Sequence, residues 1–220
     1  MPCYFAAVEV HDPDGPANAD DGEVYGGEMR LFVLDSADLS DALDALNASI
    51  ATHGLALMRV LHAGPAETYD DDMLPFDVDI DAMVQTASEG EGEICVSEPQ
   101  NFSPDETDGA PSGVYAVCAD LFDPEWADEE EGTYAGHYQL AVIAAPNAAQ
   151  ALAMLLSDCT AHELIVQGLE GLVEADAFPF DAYDFEFDEE DPIGEVLDEG
   201  GMIWSNAYAY PPEAPRKLDS

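Results

Sequence analysis

The chain has 220 residues, with 49 Asp and Glu against 4 Lys and Arg, a formal net charge of −45 and 47% hydrophobic residues. That apolar share excludes a disordered acidic tail. Four cations exclude a chain that grips nucleic-acid phosphates directly or docks on an anionic membrane surface.

The N-terminal MPCYFAAVEV has no basic segment and its apolar run is broken by Glu9, unlike a secretory signal. No run approaches the ~18 apolar residues of a spanning helix. A cytoplasmic location is expected, the host cytoplasm if the chain is viral. Cys3, Cys95, Cys118 and Cys159 are far apart and form no CxxC, so free thiols are expected over disulfides.

In chain order, residues 4–10 predict a strand, 11–28 an acidic loop and 29–34 a second strand, as a hairpin with a long connection. A helix is predicted over 37–52, where Leu39, Leu43, Leu46 and Ile50 have helical spacing. Ser36 is its expected N-cap and Gly54 its stop, with Asp38, Asp41 and Asp44 on the opposite face. A strand (55–61), an acidic loop, a weaker helix (79–87) and a strand (93–98) complete the first half. The second half reads alike: strands 115–121 and 138–144, helix 147–160, strand 163–168, helix 192–198 and strand 202–210. The helix NAAQALAMLLSDCT carries one charge, Asp158, and is expected to be buried on more than one side, between the halves or at a homodimer contact.

The halves also align as sequence. CYFAAVEVHDPDG (3–15) matches VYAVCADLFDPEW (114–126), and GEMRLFVLDSADLSDAL (27–43) matches GHYQLAVIAAPNAAQAL (136–152). MLPFD (73–77) matches AFPFD (177–181), and GEICVSEPQNF (92–102) falls near GGMIWSNAYAY (200–210). The expected fold is therefore α+β. Two tandem related units, 1–105 and 114–220, are joined by a linker at 106–113. Each has the order β-β-α-β-α-β, an antiparallel sheet with helices on one face. With 25 acids and two Arg, residues 1–109 carry −23, against −22 for 110–220, so the charge belongs to the body rather than to a tail.

No chemistry emerges from motifs. The acidic runs miss the EF-hand register, and His11, His53, His62, His137 and His162 do not cluster with the cysteines as zinc ligands would. No GxSxG, GxGxxG or GxxxxGK[ST] is present. Paired carboxylates for glycoside hydrolysis find only Trp126 and Trp204 to build a sugar site. No catalytic residue, metal or cofactor is expected. The stretch FPFDAYDFEFDEED alternates aromatics with acids, as a core-facing strand with a wet outer face or as aromatic anchors on a partner surface.

Such self-repulsion is tolerated for a reason. In charge and size the chain resembles DNA-mimic inhibitors such as phage anti-restriction and anti-CRISPR proteins. That resemblance implies a non-enzymatic partner for the basic groove of a nucleic-acid-binding protein or nuclease complex. Immunity proteins against nuclease toxins have the same character, and a halophile-adapted domain would carry such charge for its habitat alone. If the chain is a mimic, loop acids should make the contact: Asp70, Asp71, Asp72, Asp77, Asp79 and Asp81 in the first half. In the second they are Glu129, Glu130, Glu131, Asp184, Glu186, Asp188, Glu189 and Glu190.

Overall fold

The structure is a computed structural model that describes residues 2–13, 26–70, 76–90, 94–102, 113–129 and 133–212. The expected linker lies largely outside these residues. Strands β1 (Cys3–His11) and β2 (Gly27–Asp35) form the expected hairpin. Their apolar runs are nearly continuous because both faces of the sheet are covered. Ala6, Val8 and Val10 enter one core, Phe5 and Ala7 another.

Helix α1 (Leu39–Thr52) buries Leu39, Leu43, Leu46 and Ile50, as their spacing requires. Its N-cap is Asp38, not Ser36: the Asp38 carboxylate accepts from the Asp41 backbone N–H at 2.8 Å. Beyond its end, Gly54 takes φ +74°, a backbone L side chains avoid. Strand β3 (Ala56–Pro65) and helix α2 (Ile80–Glu89) follow, then two short strands, β4 (Ile94–Val96) and β5 (Gln100–Phe102).

The second half runs β6 (Val114–Phe122), α3 (Pro124–Glu129), β7 (Gly136–Ala144), α4 (Ala148–Ala161), β8 (Ile165–Glu174) and α5 (Pro192–Glu199). Strands β9 (Met202–Trp204) and β10 (Tyr208–Tyr210) end it. The expected order β-β-α-β-α-β is therefore not what forms. Both halves end in two short strands where one was expected, and α3 adds a helix.

The described strands make one antiparallel sheet in the order β10-β7-β6-β8-β3-β1-β2-β4, with β5 also on β2 and β9 on β7. The halves join where β3 pairs with β8: Val60 faces Leu172, His62 faces Glu170 and Ala63 faces Leu169. Both joining strands are bulged. The register of β1 on β3 shifts between Ala7 and Val8 and again between Glu9 and Val10. That of β6 on β8 shifts between Ala116 and Cys118 and between Asp120 and Leu121. Each bulge adds a residue and converts alternation into a period of three. Leu57, Val60 and Ala63, with Val166, Leu169 and Leu172, thus all reach one core.

That core lies under α1 and α4 and takes side chains from both halves. The Asn47 side-chain amide donates to the Ala149 carbonyl at 3.3 Å, tying the two helices together. Helix α4 packs on β3, β7 and β8, which puts it across the junction of the halves. It buries one side only: Gln150, Ala153, Ser157 and Ala161 border an open depression of ≈ 570 Å³ beside Met202. The opposite sheet face carries two separate cores, one under α2 with Phe76, the other under α5 with Phe178. Helices therefore cover both faces, not the single face expected from the sequence.

The outer strands break at a serine on each side. Ser97 Oγ accepts from the Leu31 N–H at 3.0 Å, and Ser205 Oγ accepts from the Leu140 N–H at 2.9 Å. Each serine's own N–H donates back to the same leucine's carbonyl. The pairing continues through a side chain, so the expected strand 202–210 becomes two.

Because one core spans both halves, Leu169→Ala, at 1% exposure, is expected to cost about 2–5 kcal/mol. Urea unfolding followed by fluorescence and circular dichroism should show the loss in a single coincident transition. Two transitions would mean that the halves unfold separately.

Candidate functional site

Of the expected acids, those with described side chains fall at the start of α2, at Asp70 and along 184–190. Asp77, Asp79 and Asp81 are exposed around the start of α2. Asp79 is its N-cap, accepting from the Ala82 N–H at 3.1 Å, and Asp81 lies in the first turn, where a negative charge suits the helix dipole. Asp70 is half-buried. Asp71, Asp72, Glu130 and Glu131 lie outside the described residues, as does the side chain of Glu129 at the end of α3.

The second-half group is coherent. Residues 183–187 form no strand, yet the alternation survives: Tyr183, Phe185 and Phe187 lean on the α5-side core while Asp184 and Glu186 are exposed. The rings stack, Phe178 on Tyr183 at 5.4 Å and Tyr183 on Phe185 at 5.8 Å. Asn206 holds the backbone in place of a ladder: Glu186 N–H donates to its side chain at 2.9 Å, and its own N–H donates to the Glu186 carbonyl at 2.8 Å. Tyr208 donates its hydroxyl to the Asp184 carbonyl.

Asp188 and Glu190 are exposed and Glu189 is half-buried. Helix α5 extends the ridge with Asp191, its N-cap, and with Glu195, Asp198 and Glu199, which sequence reasoning missed. The Glu195 carboxyl is pushed up by desolvation and by the charges of Glu189 and Glu199, so these carboxylates sit within each other's field. The signal was available in PIGEVLDE: only one helix face could be buried, and Val196 takes it.

Both described arginines pair with acids of the sheet. Arg30 pairs with Glu28 at 2.5 Å and Arg59 with Glu9 at 3.5 Å. Arg216 and Lys217 lie outside the described residues. The ridge therefore keeps its carboxylates without a described Lys or Arg beside them.

A second polar feature lies over the β3–β8 junction, between the two smaller cores, where the bulges turn Leu61, His62, Gln167 and Glu170 away from the main core. His62 stacks on Phe5 at 5.4 Å and 13°. Glu170 is half-buried, opposite His62 on one side and Cys118 on the other. Farther along the face, Tyr210 donates to Asp120 at 2.6 Å, and Gln167 donates to the Ala135 carbonyl at 3.0 Å. A side chain at Gly136 would collide with the Tyr210 hydroxyl, so glycine is required there. Of this face only Tyr183, in the alternating aromatic stretch, stood out in the sequence. A further legible trace was the three-residue spacing of Val166, Leu169 and Leu172.

His137 is buried in a closed network, with Nδ1 2.7 Å from the Tyr134 hydroxyl and Nε2 3.3 Å from Gln139 Oε1. Burial lowers its pKa, as befits a neutral core imidazole. The four cysteines are free; Cys118 and Cys159 are buried on opposite sheet faces, and burial raises the Cys159 thiol to about 12. Among the described residues, no three His, Cys, Asp or Glu side chains converge to hold a metal ion, and no helix is long and apolar enough to cross a membrane.

The chain matches no protein-family model, no curated protein and no solved structure.

Burial raises the Glu170 carboxyl, against the lowering effect of the Tyr183 hydroxyl, and lowers His62. The folded state therefore holds a proton on Glu170 that the unfolded chain releases, so stability falls as pH rises from the ordinary carboxylate value through the folded one. For His62 the unfolded chain binds the proton first, so stability is lost as pH falls from about 6.5 through the folded value. Glu170→Gln is expected to raise Tm at pH 7 by a few degrees and to remove the first slope; His62→Gln should remove the second. Thermal melts from pH 4 to 8 check both.

Proposed function

We propose that this chain is a non-enzymatic inhibitor that occupies the basic nucleic-acid-binding surface of another protein, in the manner of phage anti-CRISPR and anti-restriction proteins. The observation that carries this reading is the ridge over 184–199, where Asp184, Glu186, Asp188, Glu190, Glu195 and Glu199 are exposed on a backbone pinned by Asn206 and α5. Alternate residues of extended chain are about 6.8 Å apart, comparable to successive phosphates along one nucleic-acid strand. Fixed carboxylates at that spacing bind Lys and Arg with little ordering cost and steer a basic partner to them. Its compartment would be the cytoplasm where such a target works.

The body that presents the ridge is, on this proposal, a duplicated unit. Support comes from aligned residues with the same roles: Ser97 and Ser205 close the outer strands on Leu31 and Leu140, and Glu9 and Asp120 are both buried beside a bulge.

A second reading rests on the exposed Asp41 and Asp44 of α1, on the sheet face opposite α5. Acids on every side are also what salt adaptation produces. Thermal melts in KCl separate the two. Cooperative folding near physiological salt supports the inhibitor, and folding only in molar salt supports habitat. An immunity protein would differ only in the nuclease it captures.

Replacing Asp184, Glu186 and Asp188 together by Lys is expected to weaken capture of nuclease, restriction or CRISPR complexes at least about tenfold and to flatten its salt dependence. Competition with duplex DNA provides the assay. Unchanged inhibition after reversing this cluster and the Asp77, Asp79 and Asp81 cluster in turn would overturn the mechanism.

A further inference from the structure

We infer that the trough over the β3–β8 junction seats one arginine side chain of the protein partner, with the Glu170 carboxylate as counter-charge and aromatic rings from both halves as walls. The inference rests on the reading of the chain as a binder of basic protein surfaces and names the anchor of that contact.

The floor is two strands wide, about 5 Å from strand to strand. On one side Phe5 carries the His62 ring on its face and meets Tyr69 edge-on. On the other, Phe178 stacks on Tyr183 at 26°. Gly168 lies in the floor between them. A Cβ at Gly168 would meet nothing nearer than the Ala63 carbonyl and the Asp120 Cβ, both at 3.5 Å and both on neighbouring strands.

Glu170 stands in this floor, half-buried, with His62 of β3 opposite it on one side and Cys118 of β6 on the other. Among the described residues no cation meets it, since Arg59 is taken by Glu9 and Arg30 by Glu28. A half-buried carboxylate that lacks a counter-charge attracts a cation from outside.

The surroundings select the cation. A guanidinium is planar, stacks on rings, pairs a carboxylate with two parallel N–H bonds and gives up its hydration more readily than an ammonium. Burial keeps His62 neutral, so the ring beside the seat does not repel a positive guest. The exposed ridge, by contrast, offers carboxylates without ring walls along Asp188, Glu190 and Glu199, and accepts lysine and arginine alike.

The full chain, titrated at about 0.15 M KCl with the peptide Gly-Gly-Arg-Gly-Gly and followed by calorimetry and by amide NMR, tests this. The arginine peptide is expected to bind and to shift Gly168, Gly171 and Tyr183. The same peptide with lysine should bind more weakly, and with neutral citrulline not at all. Glu170→Gln, folded by its Tm, should weaken binding at least about tenfold, and Glu199→Gln should leave it unchanged. Binding that survives Glu170→Gln, or that Glu199→Gln reduces equally, would reduce the effect to diffuse cation attraction and overturn the seat. Peptide binding at Glu170 with partner capture indifferent to reversal of the ridge would keep the seat and remove the ridge mechanism. The converse pair of results would remove the seat and keep the ridge.

Discussion

Val60 opposite Leu172, and Ala63 opposite Leu169, put four buried apolar side chains on one face of the β3–β8 pair, directly beneath α1 and α4. This strip joins what would otherwise be two small sheets, each with too little apolar area for a robust core. The two main helices can then share one core. The bulges that produce the strip also send Leu61, His62, Gln167 and Glu170 to the opposite face. A packing requirement on one side thus dictates the polar trough on the other.

A net charge of −45 opposes compaction, and the fold answers it in two ways. The described arginines are spent on acids within the sheet, Arg59 on the buried Glu9 and Arg30 on Glu28. Other acids stabilise the backbone: Asp38, Asp79 and Asp191 each cap a helix, where an anion meets unpaired N–H groups and the favourable end of the dipole. Among the described residues, exposed carboxylates gather along 184–199. Desolvation and the charges of Glu189 and Glu199 push the Glu195 carboxyl up.

On the proposed function, ridge and trough would offer complementary kinds of recognition. Exposed charges mainly accelerate encounter and set salt dependence, whereas a desolvated anchor among rings slows release. They share the segment that begins at Tyr183: its ring stacks on Phe178 beside the trough, and the next residues carry the ridge. A partner engaging one would, on that proposal, be brought close to the other.

Local pattern determined a good deal of this protein. Helical spacing located α1 and α4, apolar runs located β1, β2, β6 and β7, and the alternation of FPFDAYDFEF placed rings inward and acids outward. These features depend on residues a few positions apart, so the chain displays them before it folds. Ser36 and Asp38 are both competent caps, and only the path of the chain out of β2 chose Asp38. Nothing local distinguishes a strand from one that a serine interrupts by binding its neighbour's backbone, so β9 and β10 read as one. Glu170 looked like any of 49 acids until β3, β6 and the Tyr183 segment converged on it. The sharing of one sheet, the division of helices between its faces and the polar trough are decided by which strand lies beside which. That choice is made by side chains about a hundred residues apart, and so it belongs to the tertiary structure alone.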